Sequence, residues 1–182
     1  ISLNVSNSGG TATYNNLDLS NGKTYFTVSG GTMNLEGGSF AADTDMFTVK
    51  GGTANVNGCT LALKNNSEKS KYNRYFFQLT GGETNLNGGA LVADTGTKYP
   101  YVANGTGGTL KLDGELKYTK VEEGAVLRTM LAAPDNYKIA LGDSFSSAAP
   151  ITFRFEGISL DFADTVWTAT QKKNFAMPKG YT

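Results

Sequence analysis

Residues 26–38 read FTVSGGTMNLEGG, and this stretch recurs along the chain with small changes. Residues 47–59 read FTVKGGTANVNGC, and residues 77–89 read FQLTGGETNLNGG. Five Gly-Gly pairs mark the copies at intervals of 21, 21, 30 and 26 residues, and they begin at Gly9, Gly30, Gly51, Gly81 and Gly107. A repeat of this length is typical of architectures in which similar units stack on one another.

Apolar and polar residues alternate within each copy, which is the pattern of a β-strand that buries one face. The buried positions expected in the second copy recur in the later copies, and they are Phe26, Val28, Met33, Leu35, Phe40 and Ala42. Three short strands in roughly 21 residues, separated by Gly-rich turns, are typical of one coil of a parallel β-helix, whose coils stack about 4.8 Å apart. The repeat therefore predicts an all-β parallel solenoid.

Two other architectures share parts of this pattern. An antiparallel sandwich also contains many short strands joined by turns, but it does not need the same residue types every 21 positions. A leucine-rich repeat would match the period, but its Leu-x-x-Leu-x-Leu spacing recurs nowhere in the chain. The parallel β-helix is therefore the favoured interpretation.

The composition excludes several classes of site. Sixteen Lys and Arg balance sixteen Asp and Glu, so no basic field attracts nucleic acid or an anionic membrane. There is no His and one Cys, Cys59, which excludes a Ser-His-Asp or Cys-His nucleophile, a His or multi-Cys metal site and an intrachain disulfide. No apolar run reaches the roughly 18 residues of a membrane span. We therefore predict no metal, no cofactor, no nucleic-acid partner and no membrane insertion.

Two insertions lengthen the repeat at one edge of the predicted stack. Residues 65–75 and 95–101 both follow the third strand of a coil, so they are expected to leave neighbouring coils side by side. Insertions in a solenoid tend to lie on one face, which is often the binding face. The candidate ligand-binding residues are aromatic and basic residues of these insertions, namely Tyr72, Arg74, Tyr75, Lys98, Tyr99 and Tyr101. Tyr rings and Arg guanidinium groups suit contacts with sugars, whereas the favoured alternative is that these side chains only pack or solvate the loops.

A second candidate surface lies on the outward positions that follow each Gly-Gly pair. In the central copies these positions carry Thr32, Asn34, Glu36, Thr53, Asn55, Asn57, Glu83, Asn85 and Asn87. A flat polar grid of this kind suits an extended glycan. Stacked Asn and Thr ladders also simply solvate and stiffen a solenoid, and this structural interpretation is favoured.

Stacking of the copies predicts two further columns of side chains. An apolar stripe is expected to lean outward just before the first buried residue of each coil, and it contains Tyr25, Met46, Phe76 and Val102. It is expected to be either a contact surface or a surface covered by the chain beyond the repeats. A column of alternating charge is expected after the third strand, and it contains Asp43, Lys64 and Asp94. Alternation of charge avoids the repulsion of a uniform charged ladder.

The Gly-Gly register is lost after Tyr118. The chain therefore divides into a parallel β-helix repeat region, residues 1–118, and a C-terminal β-rich cap of the same domain, residues 119–182. Alternation on both sides of Glu156-Gly157 predicts two strands joined by a turn, and Arg128 to Ala133 is the one candidate for a short helix. A solenoid needs an atypical terminal unit to cover its last coil.

The unit Gly-Gly-Thr-x-Asn-(Leu/Val)-x-Gly, preceded by Phe-x-(Val/Leu), resembles the repeats of pectin-lyase-like right-handed parallel β-helices. It is most similar to the coils of large adhesin-like surface proteins of bacteria, and the resemblance covers Val5 to about Tyr118. The resemblance implies a right-handed parallel β-helix of about five regular coils plus a C-terminal cap or irregular coils. It also implies an extracellular or cell-surface location and a glycan or host-surface partner. The pattern is already under way at Ile1, so the chain is expected to be part of a larger protein.

The same superfold includes polysaccharide lyases and hydrolases, whose mechanisms need clustered acids on adjacent coils. The outward acids here are scattered, and they are Asp43, Asp45, Asp94, Asp113, Glu36 and Glu83. The favoured function is therefore a non-catalytic module of a secreted or surface-attached bacterial adhesin-like protein, with no catalytic residues, which binds glycan or a host surface through loops on one edge. A purely structural stalk segment is the main alternative, and an enzyme is the less favoured one. The sequence makes no prediction of oligomeric state.

Overall fold

The computed structural model describes residues 1–64, 74–94, 100–120, 127–132, 137–147, 151–156 and 175–176. Every strand pair formed by these residues is parallel, and none of these residues lies in a helix. The prediction of an all-β fold with parallel strands is therefore confirmed. In this part of the chain there is accordingly no helix that could cross a membrane.

The described residues form one 14-stranded sheet. The strands are β1 (Ser2–Asn15), β2 (Asp18–Leu19), β3 (Lys23–Glu36), β4 (Ser39–Ala42), β5 (Phe47–Val49), β6 (Thr53–Asn57), β7 (Thr60–Leu63), β8 (Arg74–Ala93), β9 (Pro100–Lys120), β10 (Leu127–Ala132), β11 (Tyr137–Leu141), β12 (Ser146–Ser147), β13 (Ile151–Glu156) and β14 (Phe175–Ala176). β1, β3, β8 and β9 each run through a Gly-Gly pair, so β1 and β3 each contain two of the segments that the repeat predicts, and β8 and β9 each contain three.

The strands pair copy to copy in three ladders. The first ladder contains the segments before each Gly-Gly pair and places Phe26, Phe47 and Phe77 in adjacent rungs. The second ladder contains the segments after the pair, where Asn55 lies between the corresponding residues of its two neighbours. The third ladder follows the next Gly-rich turn and places Leu61 in the middle rung. Phe26, Phe47, Phe77 and Ala103 follow one another at 21, 30 and 26 residues, which are the intervals between the Gly-Gly pairs. In the third ladder a register shift makes the β8–β9 spacing 27 residues, as between Ala90 and Lys117.

The inward columns of the three ladders form one hydrophobic core. All six positions predicted for the second copy are buried, and so are their apolar counterparts in the next two copies. In the first ladder the ring of Phe47 stacks between Phe26 at 4.5 Å and Phe77 at 4.8 Å, measured between ring centroids. Full burial of each such ring contributes about 1.5–3 kcal/mol, so the stacked columns are the main source of stability.

The second glycine of each pair is required by two features of the backbone. Gly52 has a φ angle of 69°, in the left-handed region that side chains with a Cβ disfavour. A Cβ at Gly52 would also lie 2.4 Å from the carbonyl oxygen of Gly31 in the adjacent copy. Because adjacent backbones come this close at the turn, the Gly-Gly signature recurs with every copy.

Parallel pairing continues beyond the last Gly-Gly copy. β10, β11 and β12 pair with β9, and β13 pairs with both β10 and β14. The ring of Tyr137 on β11 is fully buried and occupies the space beside Gly105, where a Cβ would lie 2.3 Å from the ring. Gly105 pairs with Leu79, which belongs to an inward column of the first ladder. The Tyr137 ring therefore fills the place beside Gly105 that a side chain would take in this column.

Residues Leu127–Ala132 form strand β10, so the short helix predicted from Arg128 to Ala133 is wrong. β10 pairs in parallel with β9 and β13, and this pairing supplies hydrogen-bond partners for the backbone N–H and C=O groups of β10. Pairing with neighbours therefore outweighs the weak local preference of a short segment. Of the two strands predicted around Glu156-Gly157, the first is β13, and the second lies outside the described residues.

The structure covers three of the four residues of the apolar stripe, so of the two outcomes expected for it the open contact surface is not found. Met46, Phe76 and Val102 are at most 1 % exposed and belong to the hydrophobic core, while Tyr25 is half-buried. Phe76 is buried together with the adjacent Phe77. Both faces of the first ladder are therefore covered at this point, whereas strict alternation assumes one open face.

The charged column lies where the repeat predicts it, because the backbone N–H groups of Lys64 and Asp94 each donate to the preceding copy, at 2.7 and 3.1 Å. The carboxylate of Asp43 is 6 % exposed and accepts hydrogen bonds from Lys23 Nζ at 2.6 Å and from the Tyr25 hydroxyl. The hydrogen bond to Asp43 raises the pKa of Lys23. Burial, followed by the hydrogen bond to Asp43, raises the pKa of Tyr25.

Candidate functional site

The polar face is the outward side of the second ladder, where β3, β6, β8 and β9 lie side by side. Its side chains are Thr32, Asn34, Glu36, Thr53, Asn55, Asn57, Glu83, Asn85, Asn87, Thr109, Lys111 and Asp113. The alternate residues Leu35, Val56, Leu86 and Leu112 are buried in the core. Burial of these residues turns their polar neighbours outward, as the repeat predicts.

A first column of amides runs along the polar face. Asn34 Nδ2 donates to Thr13 Oγ1 at 3.1 Å, Asn55 Nδ2 donates to Asn34 Oδ1 at 2.8 Å, and Asn85 Nδ2 donates to Asn55 Oδ1 at 2.9 Å. Asn85 Nδ2 also donates to Glu83 Oε1 at 2.7 Å. All three amides therefore direct a nitrogen toward the previous copy, and the oxygens of Asn34 and Asn55 accept from the next copy.

A second column of amides has the same direction, and its starting residue explains why. Asn57 Nδ2 donates to Glu36 Oε1 at 2.8 Å, and an ionised carboxylate can only accept hydrogen bonds. The oxygen of Asn57 then faces the next copy, where it accepts from Asn87 Nδ2 at 2.6 Å. In the next copy Asn87 pairs with Asp113, whose carboxylate is a further acceptor.

An open depression of about 560 Å³ lies at this end of the polar face. Every residue that lines it is polar or glycine, namely Asn55, Glu83, Asn85, Asn87, Lys111, Asp113, Gly114 and Ser144. The side chains of Glu83, Asn87 and Lys111 are exposed. The depression therefore presents amide and carboxylate oxygens beside one ammonium group.

A turn at residues 142–145 forms one wall of the depression. Asp113 Oδ1 accepts from the backbone N–H of Gly114 at 2.8 Å and from that of Ser144 at 3.1 Å. A Cβ at Gly142 would lie 2.1 Å from the Asp113 carboxyl group, so only glycine leaves room for it there. Asp113 thus anchors the turn with one oxygen, and its Oδ2 is a further acceptor at the wall of the depression.

This arrangement suits a ligand that is rich in hydrogen-bond donors and has little net charge. Amide and carboxylate oxygens accept, while the Lys111 ammonium supplies donors and one positive charge next to Glu83 and Asp113. None of the described residues that line it is aromatic, so binding to them would rest on hydrogen bonds.

Metal and thiol chemistry find no support in the described residues. No group of three or more His, Cys, Asp or Glu side chains there is placed to hold a metal ion. Cys59 is 1 % exposed, and burial raises the pKa of its thiol to about 11. Its sulfur lies 3.0 Å from the carbonyl oxygen of Gly37, so Cys59 packs in the core as a neutral thiol.

The structure places three of the six candidate residues of the insertion edge in buried positions. Arg74 is 3 % exposed, Tyr75 is 8 % exposed and Tyr101 is 3 % exposed. The rings of Tyr75 and Tyr101 stack on each other with centroids 5.6 Å apart, so their faces are not open to a sugar ring. Tyr72, Lys98 and Tyr99, which were predicted to lie on the same edge, lie outside the described residues.

Asp45 holds the beginning of this segment in place. Its Oδ1 accepts from the backbone N–H of Tyr75 at 2.9 Å, and its Oδ2 accepts from Gln78 Nε2 at 3.0 Å. One of the scattered acids therefore has a structural role, because it ties the strand that follows the first insertion to the previous copy.

The residues of the depression that sequence reasoning did not single out as ligand-binding are Lys111, Asp113, Gly114 and Ser144. Lys111 and Asp113 could have been found from the weaker copy at residues 109–114, because they stack on Asn85 and Asn87. Ser144 has no counterpart in the repeat, and its contact with Asp113 appears only in the folded chain.

Comparison with known proteins adds no relative to this picture. No protein-family model, no curated protein and no solved structure matches the chain. Function is therefore inferred from the geometry of the polar face.

Proposed function

We propose that the chain is a non-catalytic recognition module of a bacterial surface protein, built as a right-handed parallel β-helix and located outside the cell. Its ligand is a glycan or another hydroxyl-rich surface, bound across the polar face. The parallel ladders support the β-helix, because one Gly-Gly copy supplies one strand segment to each of the three ladders in turn. The resemblance of the repeat to pectin-lyase-like coils supports the handedness and the location.

The observation that carries the binding proposal is the depression bounded by Glu83, Asn85, Asn87, Lys111 and Asp113. Sugar hydroxyls can donate to its amide and carboxylate oxygens, since each such oxygen can accept more than one hydrogen bond. Two neighbouring hydroxyls of a sugar ring match two acceptors of adjacent rungs, which lie about 4.8 Å apart. A polymer that continues along the Asn columns gains further contacts at high effective concentration.

The main competing function is a structural stalk segment. In that case the Asn columns only stiffen the ladders, and each hydrogen bond adds about 0.5–1.5 kcal/mol. The two functions differ in one measurable respect, because a stalk segment has no preference among glycans.

The test is a glycan-array screen of the full chain with three pairs of substitutions. The first pair, Glu83→Ala with Lys111→Ala, removes two exposed groups of the depression. The control pair, Glu115→Ala with Lys117→Ala, removes an exposed Glu and Lys whose charged groups are 4.0 Å apart. Lys117 pairs with Ala90 on the third ladder and Glu115 pairs with Ser146, so neither residue lies on the polar face. The third pair, Tyr72→Ala with Tyr99→Ala, addresses the insertion edge.

We expect selective binding by the native chain and by the control pair, and loss of binding in the Glu83–Lys111 pair with unchanged thermal unfolding. Loss in the Tyr72–Tyr99 pair alone would move the site to the insertion edge and contradict the polar face. If the native chain bound no glycan on a broad array, this result would favour the stalk function.

Catalysis is tested separately on uronic-acid polymers and neutral polysaccharides. A non-catalytic module leaves their length unchanged and generates no ultraviolet absorbance from an unsaturated uronate. Product formation that is lost in Glu83→Gln or Asp113→Asn would contradict the proposal and identify an enzyme.

A further inference from the structure

Most amide hydrogens at the depression are used inside the protein. Asn85 Nδ2 donates to Asn55 Oδ1 at 2.9 Å and to Glu83 Oε1 at 2.7 Å. Because a side-chain amide has two N–H donors, only the oxygen of Asn85 remains for a ligand. Asn87 Nδ2 gives one hydrogen to Asn57, at 2.6 Å. Three of the four amide hydrogens of Asn85 and Asn87 are therefore taken, so these two side chains offer a ligand mainly acceptors.

Asp113 is a carboxylate held in a fixed position beside Asn87. Its Oδ1 accepts the backbone N–H groups of Gly114 and Ser144, at 2.8 and 3.1 Å. Asp113 also pairs with Asn87 across neighbouring strands, which lie about 4.8 Å apart. Asp113 Oδ2 and the amide oxygen of Asn87 are therefore close enough to contact one group of a ligand. The group that suits two acceptors best is an ammonium, which has three donors and no acceptor.

The charges of the depression favour a cation over an anion. Of its lining residues, Glu83 and Asp113 are acidic and Lys111 is basic, so one negative charge is left over. Two further exposed residues nearby, Lys138 on β11 and Asp143 in the turn, have opposite charges that cancel. The whole chain has a formal net charge of zero, so it does not attract cations in general. Attraction of a cation is therefore local to the depression.

We propose that the depression selects sugars with a free amino group, whose ammonium is bound by Asp113 Oδ2 and by the amide oxygen of Asn87. This inference rests on the proposed function, because it names the class of glycan that the polar face binds. N-acetylation removes the positive charge and leaves one N–H donor, so an acetylated sugar binds more weakly. A uronate brings a negative charge next to Asp113 and Glu83, so it binds most weakly.

The test is a nuclear magnetic resonance titration of the full chain with four monosaccharides. Glucosamine, N-acetylglucosamine and glucuronate each differ from the fourth sugar, glucose, in one substituent. The backbone amide signals of Gly114 and Ser144 report on the site, because both N–H groups donate to Asp113. We expect glucosamine to bind up to about fivefold more tightly than glucose or N-acetylglucosamine, as for an exposed ion pair. Added salt should reduce this advantage.

Two pairs of substitutions locate the ammonium. Asp113→Asn keeps an oxygen for the turn but removes the charge, so it should abolish the advantage of glucosamine. Asp18→Asn removes the same charge at an exposed position of β2, which pairs with β4 outside the polar face, and should leave the advantage unchanged. Lys111→Gln removes the cation one outward position from Asp113 and should increase the advantage. Lys117→Gln, at an exposed position of the third ladder, is its control and should not change it.

Equal affinities for glucose and glucosamine, or an advantage that Asp113→Asn does not reduce, would overturn this proposal. A smaller advantage in Lys111→Gln would also contradict it, and this variant leaves the turn at residues 142–145 intact. The glycan array separates this proposal from the proposed function. If the native chain bound neutral glycans on the array but did not prefer glucosamine, only the selection of amino sugars would fail. If it bound no glycan and none of the four sugars, both would fail.

Discussion

The Tyr75–Tyr101 rung and the Asn55–Asn85 rung are both made by parallel pairing of adjacent copies, and they differ in exposure. The two Tyr rings are stacked 5.6 Å apart and are at most 8 % exposed. The two amides are half-buried and joined by a hydrogen bond of 2.9 Å. Residues typical of a sugar-binding loop are therefore covered, while ordinary amides of the repeat stay accessible. Residue type alone is a poor guide to a binding surface, and the register decides which side chains face solvent.

The largest expected effect comes from removing a ring of the covered rung. Tyr101→Ala should lower the free energy of unfolding by about 3–5 kcal/mol, because it opens a cavity beside Tyr75. Chemical denaturation measures this loss, and Tyr101→Phe, which keeps the ring, is the matched control. A loss below about 1 kcal/mol would show that the ring is accessible, and the contrast between the two rungs would fail.

The next largest effect is the pH dependence of stability that comes from the buried Cys59 thiol. Burial raises the pKa of Cys59 from 9.0 to about 11, so the folded chain holds the thiol proton more tightly than the unfolded chain does. The stabilisation is fully present below pH 9 and is lost as the pH rises through about 11, with a slope of at most about 1.4 kcal/mol per pH unit. The free energy of unfolding should therefore fall more steeply between pH 8 and about 11 in the native chain than in Cys59→Ala. Parallel curves would contradict the burial of this thiol.

A smaller effect is expected in the open rung. Asn55→Ala removes hydrogen bonds to both neighbouring copies, at 2.8 and 2.9 Å, and water replaces part of them at this half-buried site. We expect a loss of about 1 kcal/mol in the free energy of unfolding. Asn4→Ala, at an exposed position of β1, is the control and should change stability by less than about 0.5 kcal/mol. If Asn55→Ala lowered the free energy of unfolding as much as Tyr101→Ala does, the main role of the polar face would be structural.

The smallest effect concerns the ion pair between Lys23 and Asp43. Lys23 is exposed, so Lys23→Ala should cost less stability than Asn55→Ala, and added salt should reduce the difference. Its raised pKa means that the pair contributes below pH 10.5 and that the contribution fades as the pH rises through the folded pKa. Thermal unfolding at low and high salt measures it. A larger and salt-independent loss would indicate that Lys23 also supports the buried Asp43 carboxylate by packing.

Much of the fold was predictable because the same constraint recurs at a constant interval. The Gly-Gly pairs predicted the pairing register of the first five copies, and alternation predicted the inward columns around Phe47 and Val56. The same reasoning was incomplete for Met46 and Phe76, which alternation left outside the inward columns and which the structure buries in the core. It also failed at β10, where the parallel neighbours outweigh the local preference of the segment.

The sequence predicted the polar face of the candidate site but not the wall at residues 142–145. The outward Asn and Glu residues of the polar face follow from the repeat, and so does the position of Asp113 beside Asn87. The wall formed by Ser144 does not follow from it, because residues 142–145 lie beyond the last Gly-Gly copy and reach Asp113 only through the fold.

The sequence by itself determined the parallel class, the period of the ladders and the glycines at the turns, since a backbone that meets its own copy every 21 residues imposes the same residue at each meeting. Only the tertiary structure decided the burial of Arg74, Tyr75 and Tyr101, the common direction of the amide columns and the depression at their end. These features depend on which groups face each other across neighbouring copies. A hydrogen-bond column takes its direction from a terminal acceptor such as Glu36, which lies 21 residues from the nearest amide that it orients.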